Sequence, residues 1–185
     1  MGKNAFSKNL IDREDCLIVI IDIQERLMPV IADRERVQEN IIKLARFSKI
    51  VGLPVVTTEQ EKLGATIADL KGELCGLIPV PKAHFNCFYN HAFSEQIRAS
   101  DKKTLILTGV EAHICVIQTA LSGLSDYNIH IIEDAISSRT RENKKIAIER
   151  MREAGAIISS TEMFIYEILQ KAGTEEFKAI LQLVK

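Results

Sequence analysis

The chain has 185 residues, 46% apolar and 26% charged, with a formal net charge of −1. This suits one globular domain with a full core, and it gives no electrostatic case for nucleic acid or an anionic membrane. Aromatic residues make up 5% and Trp is missing, so base-stacking platforms are not expected either.

No apolar run approaches the ~18 residues that a bilayer crossing needs. The opening residues, Met1 to Ser7, have no secretory apolar core and miss the myristoylation pattern by one place. The expected setting is the cytoplasm, where the four cysteines (Cys16, Cys75, Cys87 and Cys115) stay reduced.

In chain order, residues 1–14 form a polar lead-in, and one domain over 15–185 follows. Cys16 to Asp22 begins with six apolar residues in a row, the mark of a parallel strand covered on both faces. It ends on Asp22, at the edge where open α/β sheets bind ligands, although Asp is also a common helix cap. Pro29 forces a turn. Asp33 opens a helix whose apolar stripe (Val37, Ile41, Ile42, Leu44, Ala45 and Ile50) runs to Val51, and Gly52 closes it. Leu53 to Thr58 is the second strand, and a short amphipathic piece follows at Ala65 to Leu70. Leu77 to Lys82 holds two prolines, so it is an edge strand at best, and it delivers Lys82 to a loop at Ala83 to Phe93.

A helix is expected from Ser94 to Ala99, then a buried strand from Thr104 to Thr108 that Gly109 breaks. Helical spacing starts near Ile114 and continues through Ile117, Leu121 and Leu124. Asn128 to Glu133 is the fifth strand, followed by a polar loop at Asp134 to Arg139. Arg141 to Ala154 is a helix, Ala156 to Ser159 a short strand, and two helices close the chain from Thr161 to Lys171 and from Thr174 to Leu183. The alternation predicts a three-layer α/β/α sandwich around a doubly wound, mostly parallel sheet of about six strands.

Cys115 falls where a strand becomes a helix. The free N–H groups and partial positive charge of a helix start favour a thiolate there, whereas cysteine elsewhere is commonly a small apolar filler. Asp22, Lys82 and Cys115 each sit at or just after a strand's C-terminal end, and such ends open into one crevice. An ammonium beside a thiol stabilises its thiolate, and a carboxylate can take the thiol proton and return it to a leaving amine. The chemistry this supports is acyl transfer from an amide or related C–N bond through a thioester.

The segments Ile21 to Gln24, Lys82, and Thr108-Gly-Val-Glu-Ala-His-Ile-Cys115 make the chain resemble the isochorismatase-like cysteine hydrolases. Thr58 to Gln60, Ile114 to Thr119, Asp134 to Arg139 and Arg150 to Gly155 resemble the isochorismatase-domain-containing subgroup. The resemblance implies an Asp22–Lys82–Cys115 triad, a cis peptide before Glu111, and an oxyanion hole from the N–H groups of Glu111 and Cys115. It also implies a homo-oligomer. Nicotinamidases of that superfamily carry a metal site on an Asp-x-His pattern. Here the place reads Thr57-Thr-Glu-Gln60, so no metal and no cofactor is expected. Isochorismatases proper, which cleave a vinyl ether, lack the cysteine.

Loops 59–70 and 83–93 are expected to line the pocket, with Gln24, Glu59, Gln60, Phe85 and His113 as substrate-binding candidates. A zinc site from Cys75, His84, Cys87 and His91 is disfavoured by its spacing. His130 alternates with isoleucines and reads as a strand residue. Phe177, Ile180, Leu181 and Val184 form a stripe suited to packing inward or to an interface. The expected activity is metal-independent cysteine hydrolysis of a small amide or carbamoyl compound. A non-catalytic protein retaining the pocket is the alternative, and a thiol redox role ranks below both. Cys115→Ala and Asp22→Asn are each expected to abolish turnover and to spare the melting temperature.

Overall fold

The computed structural model describes residues 10–74 and 76–184. The nine residues at the start of the expected lead-in, and Cys75 of the weighed zinc set, lie outside the described residues. Six parallel strands form one sheet: β1 (Cys16–Ile21), β2 (Val55–Gln60), β3 (Val80–Lys82), β4 (Thr104–Val110), β5 (Asn128–Ser137) and β6 (Ile157–Ser159). Their spatial order is β3-β2-β1-β4-β5-β6, so the chain reverses its winding beside β1. The expected three-layer sandwich is therefore present, with a sheet that is parallel throughout.

Alternate residues of β1 supply two cores. Cys16, Ile18 and Ile20 face α1 (Arg34–Val51), α2 (Ala68–Glu73), α6 (Thr161–Leu169) and α7 (Glu175–Val184). Leu17, Val19 and Ile21 face α3 (His91–Ala99), α4 (Ile117–Gly123) and α5 (Arg141–Glu153). All six β1 residues are fully buried, which is why the apolar run is unbroken rather than alternating. The stripe of α7 is spent inward: Ile180 is buried, and Phe177, Leu183 and Val184 pack on the core that α1 shares.

Several boundaries differ from expectation for physical reasons. β4 does not stop at Gly109. It passes through that residue at φ +112°, and the pairing with β5 shifts register there. A Cβ at this position would lie 2.1 Å from the Ile21 carbonyl oxygen, so glycine is what lets β4 close against the end of β1. The polar stretch Asp134 to Ser137 is not a loop but the second half of β5. Its Asp134 carboxylate accepts hydrogen bonds from the Thr161 N–H and hydroxyl, and the Asp134 carbonyl accepts from Asn40. α3 begins three residues earlier than expected because the Asn90 side chain caps it through the Phe93 N–H. Asp33 precedes α1 without capping it and instead pairs with Arg141. Ile50 is exposed, while Phe47 and Ser48 fill the inward face of α1.

Candidate active site

Three strand ends converge. Asp22 follows β1 in the left-handed region, at φ 55°, which Asp tolerates better than most residues. It caps no helix. Lys82 ends β3, and its Nζ donates to Asp22 Oδ2 at 2.7 Å and lies 3.6 Å from Cys115 Sγ. Cys115 lies in a π-helical turn, Ala112–Val116, that joins β4 to α4. The peptide bond between Val110 and Glu111 is cis. Asp22 is 0% exposed, Lys82 1% and Cys115 6%, so Cys115 is the most exposed of three buried residues.

Burial sets the electrostatics. It works against the charge on Lys82, yet the Asp22 carboxylate, by its charge and by the hydrogen bond it accepts, outweighs it and holds the lysine pKa above its ordinary value. Burial, and then the Asp22 charge, push the Cys115 thiol far up, and Lys82 offsets this only in part. Both effects favour the thiol over the thiolate beside the ion pair. Loss of water and the neighbouring carboxylate thus act against the pull of the helix start and the ammonium toward a thiolate.

The substrate-binding candidates divide. Gln60 is half-buried and its Oε1 accepts from Lys82 Nζ at 2.7 Å, so it belongs to the cluster itself. Gln24 is fully buried, and its amide is spent on the main chain of Gln60 and Gly64. The Glu59 carboxylate is likewise engaged, accepting from the Thr66 N–H and hydroxyl at 2.7 Å. His113 is half-buried, with its ring Nδ1 2.9 Å from the Ser138 hydroxyl. Phe85 is exposed on the loop after β3. Glu111, beside the cis bond, accepts from Arg139 Nε at 2.8 Å.

Two neighbours escaped the sequence reading. Thr58 is fully buried and its hydroxyl donates to Asp22 Oδ1 at 2.7 Å. Its place two residues before Gln60, on the same face of β2, was the available signal. Cys87 is buried against Thr119, whose hydroxyl accepts its N–H, and lies near enough to feel the Lys82 charge. Burial nevertheless pushes its thiol up to about 11. Among the described residues, no three His, Cys, Asp or Glu side chains gather as a metal cage. His84 packs edge-on against Tyr89, and His91 pairs with Glu95.

Residues 16–163 match the model of the isochorismatase domain. The chain belongs to the isochorismatase family. It is 31% identical to a secreted isochorismatase effector of Phytophthora sojae, over 91% of this chain and 84% of that protein. It is equally 31% identical to isochorismatase domain-containing protein 2 of Danio rerio, over 91% and 86%. Among solved structures, the MAR1 ribonuclease of Caenorhabditis elegans superposes with a TM-score of 0.88 at 27% identity, covering 95% of this chain and 92% of that one. The YcaC product of Escherichia coli, described as an octameric hydrolase of unknown specificity, superposes at 0.89 and 21%, over 97% and 92%. Family membership supports a hydrolase. No helix among the described residues is long and apolar enough to cross a membrane.

Proposed function

We propose that this isochorismatase-family chain is a cysteine hydrolase that cleaves a C–N bond of a small amide or carbamoyl compound without a metal. The observation that carries the reading is the buried contact of Lys82 with both the Asp22 carboxylate and the Cys115 sulfur. As the sulfur attacks the substrate carbonyl carbon, its proton passes to Asp22 and an S–C bond forms. The oxyanion is taken up by the N–H groups of Glu111 and Cys115. The intermediate collapses with C–N cleavage, Asp22 returns the proton to the leaving nitrogen, and a thioester remains. Water then attacks the thioester while Asp22 takes its proton, and the acid and the thiol are released. Lys82 stays an ammonium throughout and holds the acid against the sulfur.

The near-complete burial of the three groups favours a small substrate over a polymer, so the ribonuclease label of the C. elegans neighbour is not carried over. We also propose a homo-oligomer. Ile78 is 85% and Tyr89 71% exposed, and they flank β3 at one edge of the sheet. Light scattering reads the assembly directly.

The test of chemistry pairs labelling with turnover. Iodoacetamide at neutral pH is expected to alkylate Cys115 before Cys16 and Cys87, because both of those are fully buried while Cys115 keeps some exposure and has Asp22 at hand to take its proton. Asp22→Asn slows that alkylation, and Cys115→Ala abolishes hydrolysis across a panel of small amides and carbamoyl compounds. Labelling of Cys16 at the same rate as Cys115 would overturn the reading. Reactive Cys115 with no turnover of any panel member would favour a retained, non-catalytic pocket.

A further inference from the structure

β2 lies between the strand that carries the acid and the strand that carries the amine, and it gives a partner to each. Thr58 donates to Asp22 Oδ1, and Gln60 accepts from Lys82. Gln60 and Lys82 are registered partners on adjacent parallel strands, so their side chains leave the sheet on the same side. An ammonium has three hydrogens, and here there are three partners: Asp22 Oδ2 and Gln60 Oε1, each at 2.7 Å, and Cys115 Sγ at 3.6 Å. With two hydrogens held by oxygens, the third is left for the sulfur.

The orientation of the Gln60 amide is itself fixed. Its Nε2 donates to the Ala83 carbonyl at 2.8 Å, a group that can only accept, so the oxygen end must face Lys82. Behind it, Gln24 accepts from the Gln60 N–H and donates to the Gln60 carbonyl, clamping the main chain on both sides.

We propose that Gln60 is a positioning residue: its side-chain oxygen holds one hydrogen of the Lys82 ammonium, and this aims another at the Cys115 sulfur. Its consequence for catalysis rests on the hydrolase reading, while the hydrogen bond does not. The charged and titratable groups around Lys82 are Asp22 from the end of β1, Cys87 from the turn after β3, and Cys115 from the π-helical turn. Gln60 is an amide that does not titrate, so it can orient the ammonium without drawing its proton away.

The experiment follows the Lys82 ammonium by proton–nitrogen NMR and measures its exchange with water in the full-length protein. In Gln60→Met, which keeps length but removes the acceptor, exchange is expected to quicken by about tenfold or more, the scale of a lost hydrogen bond to a charged group. Gln60→Glu keeps an oxygen facing the amine and is expected to stay within about twofold of the unaltered chain. A merely structural role lowers the melting temperature of both variants and leaves the ammonium signal alone. Unchanged exchange in Gln60→Met, or equal loss in both variants, overturns the proposal. Iodoacetamide labelling of Cys115 is read in parallel. Ammonium exchange that responds to Gln60 beside an inert Cys115 supports the positioning role and sinks only the hydrolase reading. An indifferent ammonium beside a reactive Cys115 does the reverse.

Discussion

Replacing Asp22 with asparagine asks how much the central ion pair matters to folding. Both side chains of the Asp22–Lys82 pair are fully buried. Asparagine keeps the shape and can still accept from Thr58, but it carries no charge. Lys82 must then either stay an ammonium without a counter-ion or shed its proton on folding. The second route sets a ceiling. Keeping neutral a lysine whose unfolded pKa is about 10.4 costs about 4.6 kcal/mol at pH 7, and about 1.9 kcal/mol at pH 9. Removing one partner of a buried pair costs about 3–5 kcal/mol where it has been measured, which agrees with the ceiling at neutral pH.

The sign follows from the direction of each shift. In the unaltered chain the Lys82 pKa is raised, so its stabilisation is fully present below the unfolded pKa and is lost only as pH climbs through the folded value. In the variant the lysine pKa is depressed, so the penalty is present at neutral pH and fades as pH rises. Urea unfolding should therefore show Asp22→Asn about 3–4.5 kcal/mol less stable than the parent at pH 7, and less than about 2 kcal/mol less stable at pH 9. Adding Lys82→Met should restore much of the loss. A deficit under about 1 kcal/mol at pH 7, or one that does not shrink by pH 9, would refute the premise that a dry ion pair sits at this site. The expectation from sequence that Asp22→Asn spares the melting temperature stands against this prediction, and urea unfolding decides between them.

Two further outcomes follow from other parts of the fold. Gly109→Ala drives a Cβ into the Ile21 main chain at positive φ, so a loss of about 3 kcal/mol or more is expected in urea unfolding, and a loss below about 1 kcal/mol would contradict the close approach of β1 and β4. His130 is buried with its Nδ1 unpartnered among the described residues, and burial lowers its pKa to about 4. A depressed histidine pKa means stability that is complete above about pH 6.5 and falls as pH drops toward 4, by about 2 kcal/mol at pH 5. His130→Leu should flatten that part of the pH–stability curve, and parallel curves for the two proteins would count against the assignment.

What the sequence displayed and what it hid separate along physical lines. β1 announced itself because burial on both faces leaves an uninterrupted apolar run. Cys115 was visible because a strand period gives way to a helix period around it. The second half of β5 was hidden because Asp134 looks like a loop residue until Thr161 and Asn40 are seen to satisfy it across the fold. Thr58 and Gln60 were hidden in their roles for the same reason: a hydroxyl and an amide at a strand end mean little until the strand order puts them between an acid and an amine. The Asn90 cap, by contrast, was a local signal that could have been used, since Asn is among the preferred helix-capping residues. The protonation of Cys115 could not be judged from sequence, because it depends on how dry the site is.

The strand order also explains why the cation is a lysine on so slight a strand. β3 is the edge strand and lies two places from β1, so roughly 10 Å of sheet separates their axes. A carboxylate on β1 and a sulfur after β4 are neighbours by topology, but a cation from β3 has to cross β2 to reach them. The extended lysine stem spans most of that gap, and its ammonium can turn three hydrogens toward partners in different directions. β3 therefore needs only to place one Cα correctly. Three residues suffice for that, and the prolines at 79 and 81 cost little, because an edge strand leaves one side of its backbone unpaired. The side chain that crosses must pass over β2, and the residue it passes is Gln60, its registered partner. The same topology that requires a long cation thus puts an amide oxygen beside it.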